Sequence, residues 1–126
     1  MRVPILKQGS FLIASIQSAL TDYELLQLRD DLADQVGRYR SRGVIIDVTV
    51  LDVMDSFAVR TLRAIAQIVQ MRGSETVIVG IQPEVAFSMV QLGLALGPVE
   101  TALDLEEGLA LLAHRSNQGN GRADTE

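Results

Sequence analysis

Cysteine is absent from the 126 residues, so disulfides and thiolate chemistry are excluded. Histidine occurs once, as His114. That rules out a His-rich metal site and argues against a histidine-based catalytic constellation. Lysine also occurs once, as Lys7 near the N-terminus. A receiver-type phosphoacceptor resembles a site with a lysine late in the fold, and this chain has none there. No glycine-rich phosphate loop follows a strand-like run, and no G-x-S-x-G elbow is present. No apolar segment approaches the roughly 20 residues needed to span a bilayer. The opening MRVPILKQGSF lacks the long apolar run and cleavage pattern of a secretion signal. Basic charge is short as well: 11 Lys and Arg face 16 Asp and Glu, for a net charge of −5 and a pI near 4.8. Nucleic acid and anionic membranes both call for a basic surface, so neither is an expected partner. The expectation from these absences is a soluble cytoplasmic domain with no cofactor and no metal.

What remains is ample material for a core. Hydrophobic residues make up 48% of the chain and charged residues 21%, which suits one globular domain. Residues 3–6 and 11–16 are short apolar runs separated by a loop holding Gly9, the pattern of a β-hairpin. Pro4 cannot donate to a ladder, so the first strand is expected at a sheet edge. The second, FLIASI, is apolar almost throughout and should be covered on both faces. Thr21 and Glu24 have capping-box spacing at the start of a helix reaching about Arg40. Leu25, Leu28, Leu32, Val36 and Tyr39 form its apolar stripe, with Arg29, Asp30, Asp34 and Arg38 on a solvated side and Gly43 as the stop. Residues 76–81 read as another buried strand, and Pro83 opens a helix whose inner side holds Val85, Met89 and Leu92. Gly93, Gly97 and Pro98 end it. A short strand over 99–102 and a final helix with Leu105, Leu109 and Leu112 inside complete the pattern. From Arg115 onward the chain has no apolar periodicity, so residues 1–115 are expected to form the domain and 116–126 a flexible tail.

Residues 43–73 organise the rest. A Val- and Ile-rich strand is predicted over 44–50, an acidic turn over 51–55, and a helix from Asp55 or Ser56 to about Met71. Ala58, Leu62, Ile65 and Val69 centre its apolar face, flanked by Phe57, Thr61, Ala64 and Ile68. Arg60, Arg63, Gln67 and Gln70 lie on a polar strip. Arginine is common at interfaces, which makes Arg60 a candidate for a partner-binding rim. Ser56 sits where a buried strand hands over to the first turn of a helix. Free backbone N–H groups and the positive end of the dipole meet there, a setting suited to a phosphate. Asp47, Asp52 and Asp55 lie close by in sequence. Taken alone, Ser56 or Asp55 reads as an ordinary helix N-cap, worth about 1 kcal/mol, and Asp47 as a carboxylate capping a loop.

The order β-β-α-β-α-β-α-(β)-α implies an α/β fold: a mixed, mostly parallel sheet with an N-terminal hairpin and about four helices. This order, with Ile45-Ile46-Asp47-Val48-Thr49 followed by Val53-Met54-Asp55-Ser56-Phe57-Ala58, resembles the STAS domain of bacterial anti-sigma-factor antagonists. Val77-Ile78-Val79-Gly80-Ile81, Pro83-Glu84-Val85-Ala86 and Leu92-Gly93-Leu94 extend the likeness over roughly residues 3–115. Many antagonists have glycine two residues after the acceptor serine, where this chain has Ala58. The Asp-Ser-Phe form is most similar to the short stressosome-scaffold branch of the family.

The resemblance implies a non-enzymatic phosphoswitch with Ser56 as phosphoacceptor. It supplies the expected partners: a switch serine/threonine kinase of the ATP-binding GHKL type, longer STAS paralogues with N-terminal sensory domains, and a phosphatase. These would act within a large hetero-oligomeric stress-signalling complex. Asp47, Asp52, Asp55, Phe57 and Arg60 would support the acceptor or the docked partner. Two other functions compete. The Asp47, Asp52, Asp55 cluster could suggest a Mg²⁺ enzyme, and STAS domains elsewhere serve as small-ligand or nucleotide-binding modules. The tail expectation has a direct check: deleting residues 116–126 should shift the melting temperature by less than about 2 °C. A large fall in a thermal melt would show that this segment docks on the domain.

Overall fold

Apolar runs without polar alternation need cover on both faces, and the middle of the sheet receives it. Leu12, Ala14, Val44, Ile45, Ile46, Val77, Ile78 and Val79 are all fully buried. The structure, a computed structural model, describes residues 2–93, 96–97 and 99–125. Its elements run β1 (Ile5–Gln8), β2 (Phe11–Ser15), α1 (Asp22–Tyr39), β3 (Gly43–Asp47), α2 (Ser56–Met71), β4 (Glu75–Val79), α3 (Pro83–Gln91), β5 (Glu100–Ala102) and α4 (Leu105–Thr125). The five strands lie in the order β1-β2-β3-β4-β5. β1 pairs antiparallel with β2, and every other pairing is parallel. The mixed α/β sheet with an N-terminal hairpin is therefore as expected.

Strand alternation sends alternate residues to two different cores. On one face Leu12, Ala14, Val44, Ile46 and Ile78 pack against Leu28, Leu32 and Val36 of α1, Leu62, Ile65 and Val69 of α2, and Val85 and Met89 of α3. On the other face Ile13, Ile45, Val77 and Val79 pack against Leu112, with Leu105 and Leu109 partly buried beside it. Three helices thus cover one side and α4 covers the other. Each fully buried Leu or Ile contributes about 1.5–3 kcal/mol, more than any surface ion pair here. The exposed Arg38–Asp34 pair, 2.9 Å apart along α1, belongs to the latter kind.

Several boundaries differ from expectation, each for a local reason. β3 stops at Asp47 instead of reaching 50, because the Asp47 carboxylate turns back onto the chain at Thr49. β4 stops at Val79 because Gly80 takes a left-handed φ of +79°. α1 is ended by Arg40, with φ +49° and its N–H on the Val36 carbonyl, while Gly43 is the first residue of β3. The capping box is present as predicted: Glu24 N–H donates to Thr21 Oγ1, and Thr21 N–H donates to Glu24 Oε1. Tyr39 leaves the predicted stripe and lies at the surface, its ring 5.2 Å from Lys7 Nζ. Leu92 is exposed rather than inward. On α2 the buried set is Val59, Thr61, Leu62, Ile65, Ala66 and Val69, with Ala58 only half-buried. The buried face is turned relative to the predicted one because α2 packs on α1 as well as on the sheet. The backbone of α4 stays helical to Thr125, past the boundary expected at 115. Leu94 and Pro98, named in the sequence pattern, lie outside the described residues.

The seat of α4 rests on Gly108. A Cβ there would fall 2.7 Å from Val79 Cγ1, 3.4 Å from Ile45 Cδ1 and 3.6 Å from Val77 Cγ1. Gly108→Ala improves helix propensity by about 1 kcal/mol, but overpacking a filled core costs about 1–3 kcal/mol. The second effect should win, lowering stability in urea denaturation. A more stable Gly108→Ala protein would mean that α4 is not seated this closely.

Candidate functional site

The parallel strands end together at one edge of the sheet, where Ser15, Asp47 and Val79 are in register. The chain leaves β3 there and must satisfy its freed backbone groups. Val48 N–H donates to the Val79 carbonyl at 3.0 Å, and Leu51 N–H to the Val48 carbonyl at 2.9 Å. Asp47 Oδ1 accepts from Thr49 N–H at 2.9 Å and from Thr49 Oγ1 at 2.6 Å. Gln82 Nε2 donates to the Thr49 carbonyl at 2.8 Å from across the edge. Between β3 and α2, Val48, Leu51 and Met54 point inward and are buried. Val50, Asp52, Val53 and Asp55 point out, Val53 with 73% of its surface exposed. The loop is therefore pinned by three apolar side chains while it presents two carboxylates and two valines to solvent. Behind it lies a mainly apolar cavity of about 150 Å³ lined by Ile16, Leu20, Leu25, Leu51, Met54 and Leu62, among others.

The choice between the two candidate caps is resolved. Asp55 is the N-cap, with extended backbone and its Oδ1 accepting from Ala58 N–H at 2.8 Å. Ser56 is the first helical residue. Helix geometry leaves the amides of Ser56 and Phe57 without an intrahelical acceptor. Ser56 is half-buried, and its hydroxyl has no hydrogen-bond partner among the described residues. Three threonine hydroxyls are committed, whereas those of Ser74 and Thr76 are buried without a partner. Thr21 caps α1, Thr49 is bonded to Asp47, and Thr61, buried, donates to the Phe57 carbonyl at 2.8 Å. Phe57 is half-buried and Arg60 exposed, one turn along α2 from Ser56. Arg63 is half-buried and lies against Gly97.

The three carboxylates do not act as a unit. Asp47 serves the β3 end, Asp55 serves the helix start, and Asp52 faces solvent. Among the described residues no three His, Asp or Glu side chains come together as a metal-binding group. Lys7 lies at the opposite edge of the sheet, in register with Leu12 and Val44 rather than with Asp47. His114 is exposed on α4. Thr49, Gly80 and Gln82 are the members of this corner that sequence reasoning missed. Gly80, directly after an apolar strand, was the available signal. Gln82 before Pro83 looks like a helix-start residue, and nothing local says that its side chain crosses to another loop.

Comparison with known proteins agrees with the fold. The model of the STAS domain family matches residues 2–108. The RsbT co-antagonist protein RsbRA of Bacillus subtilis (strain 168) is 30% identical over 83 residues. That stretch is 66% of this chain but only 30% of RsbRA, so the chain spans under a third of that relative. A serine-to-glutamate variant of RsbS from Moorella thermoacetica superimposes with a TM-score of 0.81 at 32% identity, covering 93% of this chain and 99% of that one. A chain from a structure of the stressosome, described as a signal integration and transduction hub, gives 0.77 at 33% identity, covering 90% and 98% respectively.

The division of labour at the corner can be read in stability. Asp55→Ala should cost about 1 kcal/mol, the value of an N-cap. Ser56→Ala should stay within about 0.5 kcal/mol of wild type, as for a surface change that breaks no bond. Urea denaturation of both variants checks this; a reversed order would make Ser56 the cap.

Proposed function

The chain belongs to the STAS domain family, and we propose that it is a phosphoswitch and scaffold of a stressosome-type signalling complex, with Ser56 as its phosphoacceptor. The family is one of non-enzymatic antagonists. The observation that carries the proposal is the uncommitted Ser56 hydroxyl at the first turn of α2, beside a neighbour that already caps the helix. In the reaction a kinase moves the γ-phosphoryl group of ATP to Ser56 Oγ. An O–P bond forms, the bond to the β-phosphate oxygen breaks, and ADP and the hydroxyl proton leave. The product has about −1.5 to −2 charges at pH 7. The open amides and dipole of the helix start favour that charge, while exposed Asp52 and Asp55 oppose it. A partner seated over Val50, Val53 and the helix start meets an anionic bulge and lets go.

RsbRA is by name a co-antagonist of RsbT, and RsbS-like chains match this one over nearly their whole length. By that likeness the partners of this chain are longer STAS paralogues, a switch kinase and a resetting phosphatase, acting in the cytoplasm. No helix among the described residues is long and apolar enough to cross a membrane. A ligand-binding module is the second reading, favoured by an open groove of about 460 Å³ lined by Ile81, Met89, Val90, Leu96, Leu103 and Glu107, among others. The groove is mainly apolar and, among the described residues, has no lysine or arginine lining it for a nucleotide's phosphates, so the switch is preferred.

Kinase affinity should be measured for wild type, Ser56→Ala, Ser56→Asp and the phosphorylated protein. Ser56→Ala should bind like wild type and stay bound when ATP is added. The phosphorylated protein should bind about tenfold more weakly or worse, and Ser56→Asp less so, having fewer charges and acceptor oxygens. Equal affinities across all four would end the switch reading.

A further inference from the structure

We infer that Gln82 is a positioning residue for the modification of Ser56: it clamps the loop that leads into Ser56 to the start of α3. The inference rests on the phosphoswitch reading and adds a residue that acts through the loop backbone.

Gln82 occupies the N-cap position of α3 but makes no side-chain cap bond. Glutamine is not a favoured cap, and Pro83 and Glu84 supply the helix start instead. Its side chain reaches across to the Thr49 carbonyl, 33 residues away in sequence, at 2.8 Å. Thr49 is held from two further directions. Asp47 Oδ1 takes both its N–H and its hydroxyl. Gly80 lies directly beneath it: a Cβ on Gly80 would fall 2.0 Å from Thr49 Oγ1 and 3.0 Å from its Cα. The left-handed φ of +79° at Gly80 and the missing side chain together make the seat that Thr49 fills.

Thr49 is thus fixed at three points, and it begins the segment that ends at the Asp55 cap. Leu51 and Met54 hold the middle of that segment. The Gln82 bond is solvent-exposed, so it adds little to global stability. Its larger effect is geometric, since a shift of about 1 Å in a reacting group can cost on the order of a hundredfold in rate. Loosening Thr49 frees one end of the loop while leaving the strands intact. The clamp also joins the loop before α2 to the start of α3, so a partner meets both as one surface.

The test uses the full-length protein with three substitutions. Gln82→Glu keeps the size but loses the donor, Gln82→Ala removes the reach, and Gln82→Lys restores a donor. Amide hydrogen exchange is followed in residues 49–55 against strand residues 44–46 and 77–79. The initial rate of Ser56 phosphorylation by the switch kinase and ATP is resolved into kcat and KM. With Gln82→Glu and Gln82→Ala, loop exchange should rise about fivefold with the strands unchanged. Their kcat/KM should fall about tenfold, and Gln82→Lys should recover most of it. Unchanged loop exchange in Gln82→Glu overturns the clamp. Faster loop exchange with unchanged kinetics overturns the positioning role and leaves a merely structural bond. If wild type is not phosphorylated on Ser56, the switch reading fails and the positioning role with it. The exchange measurement still separates that case, because it reports on the clamp without the kinase.

Discussion

Two-sided burial of β3 is the constraint on which the rest of the structure depends. Val44, Ile45 and Ile46 are all at 0% exposure, so the strand must be paired along both edges and covered on both faces. β2 and β4 supply the pairing, and parallel pairing obliges the chain to return through helices. α1, α2 and α3 cover one face while α4 covers the other, close enough that only glycine fits at position 108. Once β3 is dry on every side, no flexible exit is available until the sheet ends. The exit comes at Asp47, and the polar groups released there must find partners at once.

The corner can be understood as the answer to that demand. Three polar side chains near the β3 end are assigned to the backbone: Asp47 to Thr49, Gln82 to the Thr49 carbonyl, Asp55 to the Ala58 amide. Leu51 and Met54 anchor the loop between them. The Ser56 hydroxyl makes no such bond among the described residues, and Asp52 faces solvent. Had Ser56 been the cap, its oxygen would be tied to an amide and poorly placed to accept a phosphoryl group. With aspartate as cap, the helix start is secured independently and the hydroxyl makes no bond within the described residues, which is what the proposed phosphoacceptor role requires.

The sparse catalytic inventory fits this division. On the proposed reading the chain is a kinase's substrate, which needs one accessible oxygen in a rigid setting and no general base of its own. The single histidine lies exposed on α4, and the single lysine sits over Tyr39 at the far edge of the sheet. The acidic excess is visible at the corner as Asp52 and Asp55, beside exposed Val50 and Val53. A docked partner would therefore meet both charge and apolar surface there. The proposed phosphate on Ser56 would shift that balance sharply toward charge.

The element order, the buried strands, the α1 capping box and the position of Ser56 at a helix start were all legible in the sequence. Each rests on short-range periodicity or on residues three or four apart, which a linear reading can see. Membership of the family was legible too, because its motif blocks keep their order along the chain. Only the tertiary structure decided which of Asp55 and Ser56 caps α2, since both residue types are good caps and their geometry depends on how the loop arrives. It also turned the buried face of α2 toward Val59 and Ala66, because α1 and the sheet compete for that helix. The bond from Gln82 to Thr49 spans 33 residues, and Gly80 owes its identity to a threonine from another strand's loop. Such contacts exist only after β3 and β4 are paired in register, so no local pattern in the chain encodes them.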